Sequence, residues 1–231
     1  MGKLAKALIG IWIAGVTVAA FLWLPPAQGF RSPEAARIVV FHVPCAMLTF
    51  VAFLANAVYS WRYLRTREPL TDAKANISAE LGMLFAVLAT VTGSLFAMEQ
   101  WGSAWNWDPR ETSIVMLMLV YAAYFVLRGA VEEKTKRARL SAAYALLAFP
   151  AMVFLIWILP RIVESLHPSN TLFTRSGLDP TYRITLWSFF AGLLAVFVWM
   201  FRLRLRVEIA ETRLRQRVQR ESELTLTGAK R

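Results

Sequence analysis

The sequence predicts an all-α integral membrane protein, a bundle of six transmembrane helices. Two features of its 231 residues carry that prediction. First, 57% of the residues are hydrophobic, and the 18% that are charged crowd into short stretches between long apolar runs. A helix needs roughly 20 apolar residues to cross about 30 Å of hydrocarbon at about 1.5 Å per residue. Second, the runs show no period-two alternation. Lipid offers no hydrogen-bond partners, so such runs satisfy their backbones as helices and not as a barrel.

The spans fall in order near 4–24, 36–61, 76–98, 112–130, 141–160 and 184–203. Orientation follows from the 26 basic residues. Twenty of them lie before the first span (Lys3 and Lys6), in 62–75, in 128–140 and in 202–231. The six in the alternate segments are Arg31, Arg37, Arg110, Arg161, Arg175 and Arg183. Basic loops stay cytoplasmic, so both termini are expected inside and three loops outside. Ala27 and Gly29 follow an apolar stretch as small residues do at a signal-peptide cleavage site, but the basic asymmetry favours a retained, cytoplasmic amino terminus. The net charge of +11 thus reports topology and argues little for nucleic-acid binding. Residues 1–203 read as one transmembrane domain and 204–231 as a basic cytoplasmic tail, solvated or resting on anionic lipid, with docking to a cytoplasmic partner as the lesser reading.

The residues with chemistry gather on the outer side. His42 stands in RIVVFHVPCAM, about six residues into the second span, where an ionisable group is costly. Pro44 removes a backbone donor beside it and frees the carbonyl of Val40. Cys45, the single cysteine, shares the helix face of His42 and reads as a buried inert thiol sooner than as a soft ligand. A lone cysteine also excludes a C-x-x-C-H haem attachment.

The second outer loop, about 99–111, holds Trp101, Trp105 and Trp107 within MEQWGSAWNWDPRETS. A helical segment would place Trp101, Trp105 and Asp108 on one face and give a flat aromatic platform. Asp108-Pro109-Arg110-Glu111 also has the form of an N-cap, a proline at N1 and a glutamate at N3. Arg110 is free to pair with Glu111 or to face an anion. The third outer loop contains His167, the only other histidine, before Pro168. Two imidazoles on one side, flanking an aromatic wall, are what a bis-histidine haem site requires. Arg37, Arg110, Arg161, Arg175 and Arg183 share that side and could pair with propionates. No H-E-x-x-H, P-loop or G-x-S-x-G element is present, so a hydrolase or nucleotide enzyme is not expected.

Over nearly its whole length the chain resembles the haem-handling proteins of cytochrome c maturation, most closely the haem exporter protein C family. The resemblance rests on the order of six spans, on FHVPCAM, on WGSAWNWDPRETS and on SLHPSNTL. It implies a non-enzymatic protein of the bacterial inner membrane. It also implies haem b held non-covalently by the tryptophan loop, with Trp101, Trp105, Trp107, Asp108 and Arg110 around it and His42 and His167 as axial metal ligands. The partners it implies are a periplasmic, CcmE-like haem chaperone and an ATP-binding-cassette complex with CcmA-, CcmB- and CcmD-like subunits. Two other classes fit less well. A b-type cytochrome-like redox subunit usually places four histidines near mid-depth, and a small-solute permease calls for polar or broken helices at the midplane.

Overall fold

A computed structural model describes residues 2–167 and 179–228, with side chains to 223. The described residues contain no strand, and six helical stretches are long and apolar enough to cross a membrane. Helix α1 spans Lys3–Leu22, α2 Val39–Thr66, α3 Pro69–Trp101 and α4 Pro109–Ala130. Helix α5, Lys134–Val153, runs through a π-helical turn, Phe154–Ile158, into the short α6, Leu159–Ile162. The last helix, α7, is a single rod of 49 residues, Pro180–Gly228. Every expected span lies within or overlaps one of these, and α2, α3 and α7 overrun the apolar windows because their charged ends continue helical.

Local chemistry explains the boundaries. Pro69 and Pro109 occupy first helical positions, where a missing N–H costs nothing. Gly102, at φ 84°, takes the left-handed conformation that closes α3, and Arg67, at φ 58°, does the same for α2. Four residues beyond Pro150, which leaves one carbonyl of α5 without its donor, the helix widens into the π turn. At the charged end of the bundle, Arg128 and Asp72 form a two-pronged ion pair at 2.8 and 3.0 Å that joins α4 to α3.

Packing relies on close approaches. Gly82 of α3 lies beneath Phe53 of α2, where an added Cβ would meet the ring at 2.5 Å. Phe53 in turn stacks on Tyr121 of α4. Hydrocarbon supplies no hydrophobic drive between helices, so such small-residue contacts and dispersion hold the bundle. Helix α1 rests on α7, with Gly192 beneath Trp12 and the Trp12 indole donating to the Ser188 carbonyl at 3.0 Å. At the tryptophan end, the connection after α1 is pinned twice. Tyr182 donates to the Pro25 carbonyl at 2.9 Å, and Gln100 exchanges two hydrogen bonds with the Ser32 backbone.

Candidate functional site

His42 sits in the first turn of α2 and faces α3. Its Nδ1 lies 3.0 Å from the Ala89 carbonyl and 3.3 Å from the Thr92 hydroxyl. A carbonyl can only accept, so Nδ1 carries the hydrogen and Nε2 keeps its lone pair. Gly93 makes room for the ring, since a Cβ there would stand 2.8 Å from His42 Cε1. Among the described residues, Nε2 has no hydrogen-bond partner.

His167 is fixed by the same logic from another part of the chain. Its Nδ1 lies 2.9 Å from Asp108 Oδ1, and an ionised carboxylate also only accepts. The Asp108 side chain, 0% exposed, accepts as well from the Arg110 N–H at 2.9 Å, the Leu166 N–H at 2.7 Å and the Ser165 hydroxyl at 2.9 Å. Burial pushes its carboxyl up, but these donors together with His167 outweigh it and hold the pKa below the usual value. Burial, helped by the nearby Arg110 charge, lowers the His167 pKa although Asp108 and Glu111 pull it up, which favours the neutral imidazole. Asp108 is the expected N-cap of α4, with Glu111 completing a capping box, and it also orients a histidine from 59 residues away.

The aromatic segment is not the continuous helical platform that a helix over 101–108 would give. Gly102 ends α3 at Trp101, and the chain reaches α4 through an irregular loop built on the Glu111 carboxylate, which accepts from the Asn106 N–H at 2.7 Å. Trp101 meets the His167 imidazole edge to face, with centroids 4.8 Å apart. Trp105 lines the main cavity. Trp107 is 78% exposed, adopts φ 57° and contacts Trp105 edge to face at 5.8 Å. The three indoles are therefore split, with Trp101 against His167, Trp105 lining the cavity and Trp107 exposed beside Trp105.

That cavity measures about 1690 Å³, above the roughly 300–1,000 Å³ of most small-molecule sites. His42, His167, Trp105, Arg110 and Arg161 all line it. Arg110 presents a buried Nε without a partner, as Ser113 does its hydroxyl. Arg161 donates to the Trp157 carbonyl and stands over that indole. Of the other arginines read as facing this side, Arg37 is held by the Leu24 carbonyl and Glu34 and lies off the cavity. Arg183 is not among the lining residues, and Arg175 lies outside the described residues. Cys45 is buried with Leu48, Phe85 and Phe197 and does not line the cavity. Gly93, Thr92 and the Ala89 carbonyl complete the His42 mount, and Ser165 completes that of His167. Only contacts made in three dimensions reveal them.

The sequence model of the family described as haem exporter protein C matches residues 2–220. The chain belongs to that family. Haem exporter protein C of Paracoccus denitrificans is 29% identical over 217 residues, covering 90% of this chain and 88% of its own. Its counterpart in Bradyrhizobium diazoefficiens is 30% identical over 217 residues, covering 88% and 80%. A mitochondrial protein of Arabidopsis thaliana named for cytochrome c biosynthesis is 32% identical over 118 residues, 51% of this chain and 46% of its own. Haem exporter protein C is a membrane component that handles haem in cytochrome c biogenesis, and not an enzyme. Membership thus agrees with the six apolar helices.

Proposed function

We propose that the protein holds haem b non-covalently in this cavity, with His42 and His167 as axial ligands, and delivers it to a periplasmic haem chaperone during cytochrome c maturation. One observation carries the reading. The two histidines are both tied down at Nδ1 and, among the described residues, neither Nε2 has a partner where the two side chains line one cavity. Metal-binding imidazoles are held that way, with the second nitrogen bonded to a carbonyl or carboxylate. No group of three or more His, Cys, Asp or Glu suited to a bare ion occurs among the described residues. Two imidazoles alone are too few for a naked metal and enough for an iron whose other four ligands come with a porphyrin. The unpartnered Nε of Arg110 supplies a donor for a propionate, and Trp105 an apolar wall.

In this reading the chain does no bond chemistry. Haem brings iron with two open axial positions, and the residues bind, orient and release it. His42, seated on a packed helix, is the fixed ligand. His167 is held from a loop through Asp108 and is the one released at transfer. The site faces outward from the bacterial inner membrane with both termini cytoplasmic, as the distribution of basic residues supports. A CcmE-like chaperone receives the haem, with CcmA-, CcmB- and CcmD-like subunits supplying the ATP-driven step.

The optical spectrum of the purified protein tests this. A Soret band with six-coordinate, bis-histidine character is expected. His167→Ala should retain five-coordinate haem and His42→Ala should lose most of it. An unchanged spectrum in both variants would remove the histidines from the site.

A further inference from the structure

The cavity reaches well below the histidines. On α2 its lining runs from His42 through Val43 and Met47 to Phe50 and Val51. Nine residues of helix carry it about 13 Å along the axis toward the membrane interior. The facing wall is Leu155, Ile156 and Trp157 of the π turn, with Ile114 of α4. Phe50 and Trp157 meet edge to face with centroids 5.7 Å apart.

The helical register of α2 shows where this slot leads. Val43, Met47 and Val51 fall on the same face as Leu54, Val58 and Trp61, and those three are exposed on the outside of the bundle, where lipid lies. On the other lip, Phe154, Trp157 and Ile158 are exposed too. The π turn sets that lip, since the extra residue in the turn offsets the helix wall just where α5 passes α2. The described connections over the tryptophan end are by contrast strapped down, by Tyr182 to Pro25, Gln100 to Ser32 and Asp108 to residues 165–167. The slot is also polar at one end and apolar at the other, with Arg110 and Arg161 near the tryptophan loop and Met47, Phe50, Val51 and Ile156 below.

Building on the haem reading, we propose that the cleft between α2 and the π turn is a lateral portal. A flat amphiphile dissolved in the adjoining leaflet slides through it edgewise, carboxylates toward the arginines, to reach the histidines without crossing water. The route requires nothing of the strapped connections. It makes Met47 and Trp157 the jambs of the opening and Phe50 its sill.

The protein's single cysteine allows a direct test. In the full-length Cys45→Ala protein in lipid nanodiscs, Met47→Cys and, separately, Leu54→Cys are coupled to pyrene maleimide, and haem is then supplied from lipid vesicles. Leu54 lies about two turns further along the exposed face and outside the cavity. The adduct at 47 should abolish the rise of the Soret band and the adduct at 54 should leave it intact. Coupling at 47 after haem is seated should leave the band unchanged. Loading past the adduct at 47 at the rate of the Cys45→Ala parent would overturn the lateral route. So would expulsion of seated haem, or protection of the thiol by it, because Met47 would then lie within the binding site and not on the way in. If the parent takes up no haem at all, the haem reading itself falls.

Discussion

Asp108 carries two duties that most side chains would carry separately, and a single isosteric change divides them. Asparagine caps helices about as well as aspartate. Asp108→Asn should therefore keep a cap, but it turns one acceptor oxygen into an amide donor that meets either the Leu166 and Ser165 donors or the Arg110 and His167 ones, so the thermal midpoint falls modestly and the His167 Nδ1–H loses its carboxylate. Loss of such an orienting partner typically costs about 10–100-fold in metal affinity, and haem titration should show a decrease of that order. Asp108→Ala should add a loss of roughly 0.5–2 kcal/mol of stability, so the two variants separate cap from orienter in one calorimetric series. Gly93 offers a second test. An alanine Cβ would press on His42 Cε1 from 2.8 Å, and the ring can yield only by leaving the Ala89 carbonyl. Gly93→Ala should thus lose the bis-histidine Soret signature while costing no more than about 1–3 kcal/mol in stability, the usual range for overpacking. Both histidines, the tryptophans and the cap were legible in the sequence, because rare residue types and a capping pattern are local signals. Gly93, Ser165 and the Ala89 carbonyl were not. Their roles come from neighbours 47 to 57 residues away, across a bundle that sequence spacing does not encode.

At the scale of elements, the charged end of the bundle depends on the Arg128–Asp72 pair between α4 and α3. Its side chains are only 14% and 17% exposed, so removing one leaves the other charge stranded. Arg128→Ala should cost about 3–5 kcal/mol in a denaturant titration, whereas an apolar replacement of both residues together should cost far less. Haem affinity at the distant tryptophan end should change little in either. Hydropathy revealed the helices themselves, including the order and the cores of all six spans. It missed the ends of α2 and α3, which continue into charged residues that a membrane window excludes. It also missed the break at Gly102, where one left-handed residue turns an expected aromatic face into a loop. Pro150 was visible in the sequence, but the π turn four residues later depends on how α5 settles against α2 and α4.

For the molecule as a whole, the distribution of 26 basic residues predicts a definite orientation. A reporter fused in 165–180 should be active only when it lies outside the cytoplasm, and one fused after 223 only inside. The opposite pattern would invert the bundle. The same whole-molecule view gives α7 a mechanical meaning. It begins beside the cavity, where Tyr182 holds the Pro25 carbonyl, and runs without a break to the arginine-rich tail. From Tyr182 to Glu223 the rod is about 60 Å long, with no proline or hinge to absorb a bend. The rod is braced by α1, α2 and α3, the last through the Arg204–Glu80 pair. A load applied at the tail would therefore be carried along one continuous helix up to the Tyr182–Pro25 hydrogen bond beside the cavity.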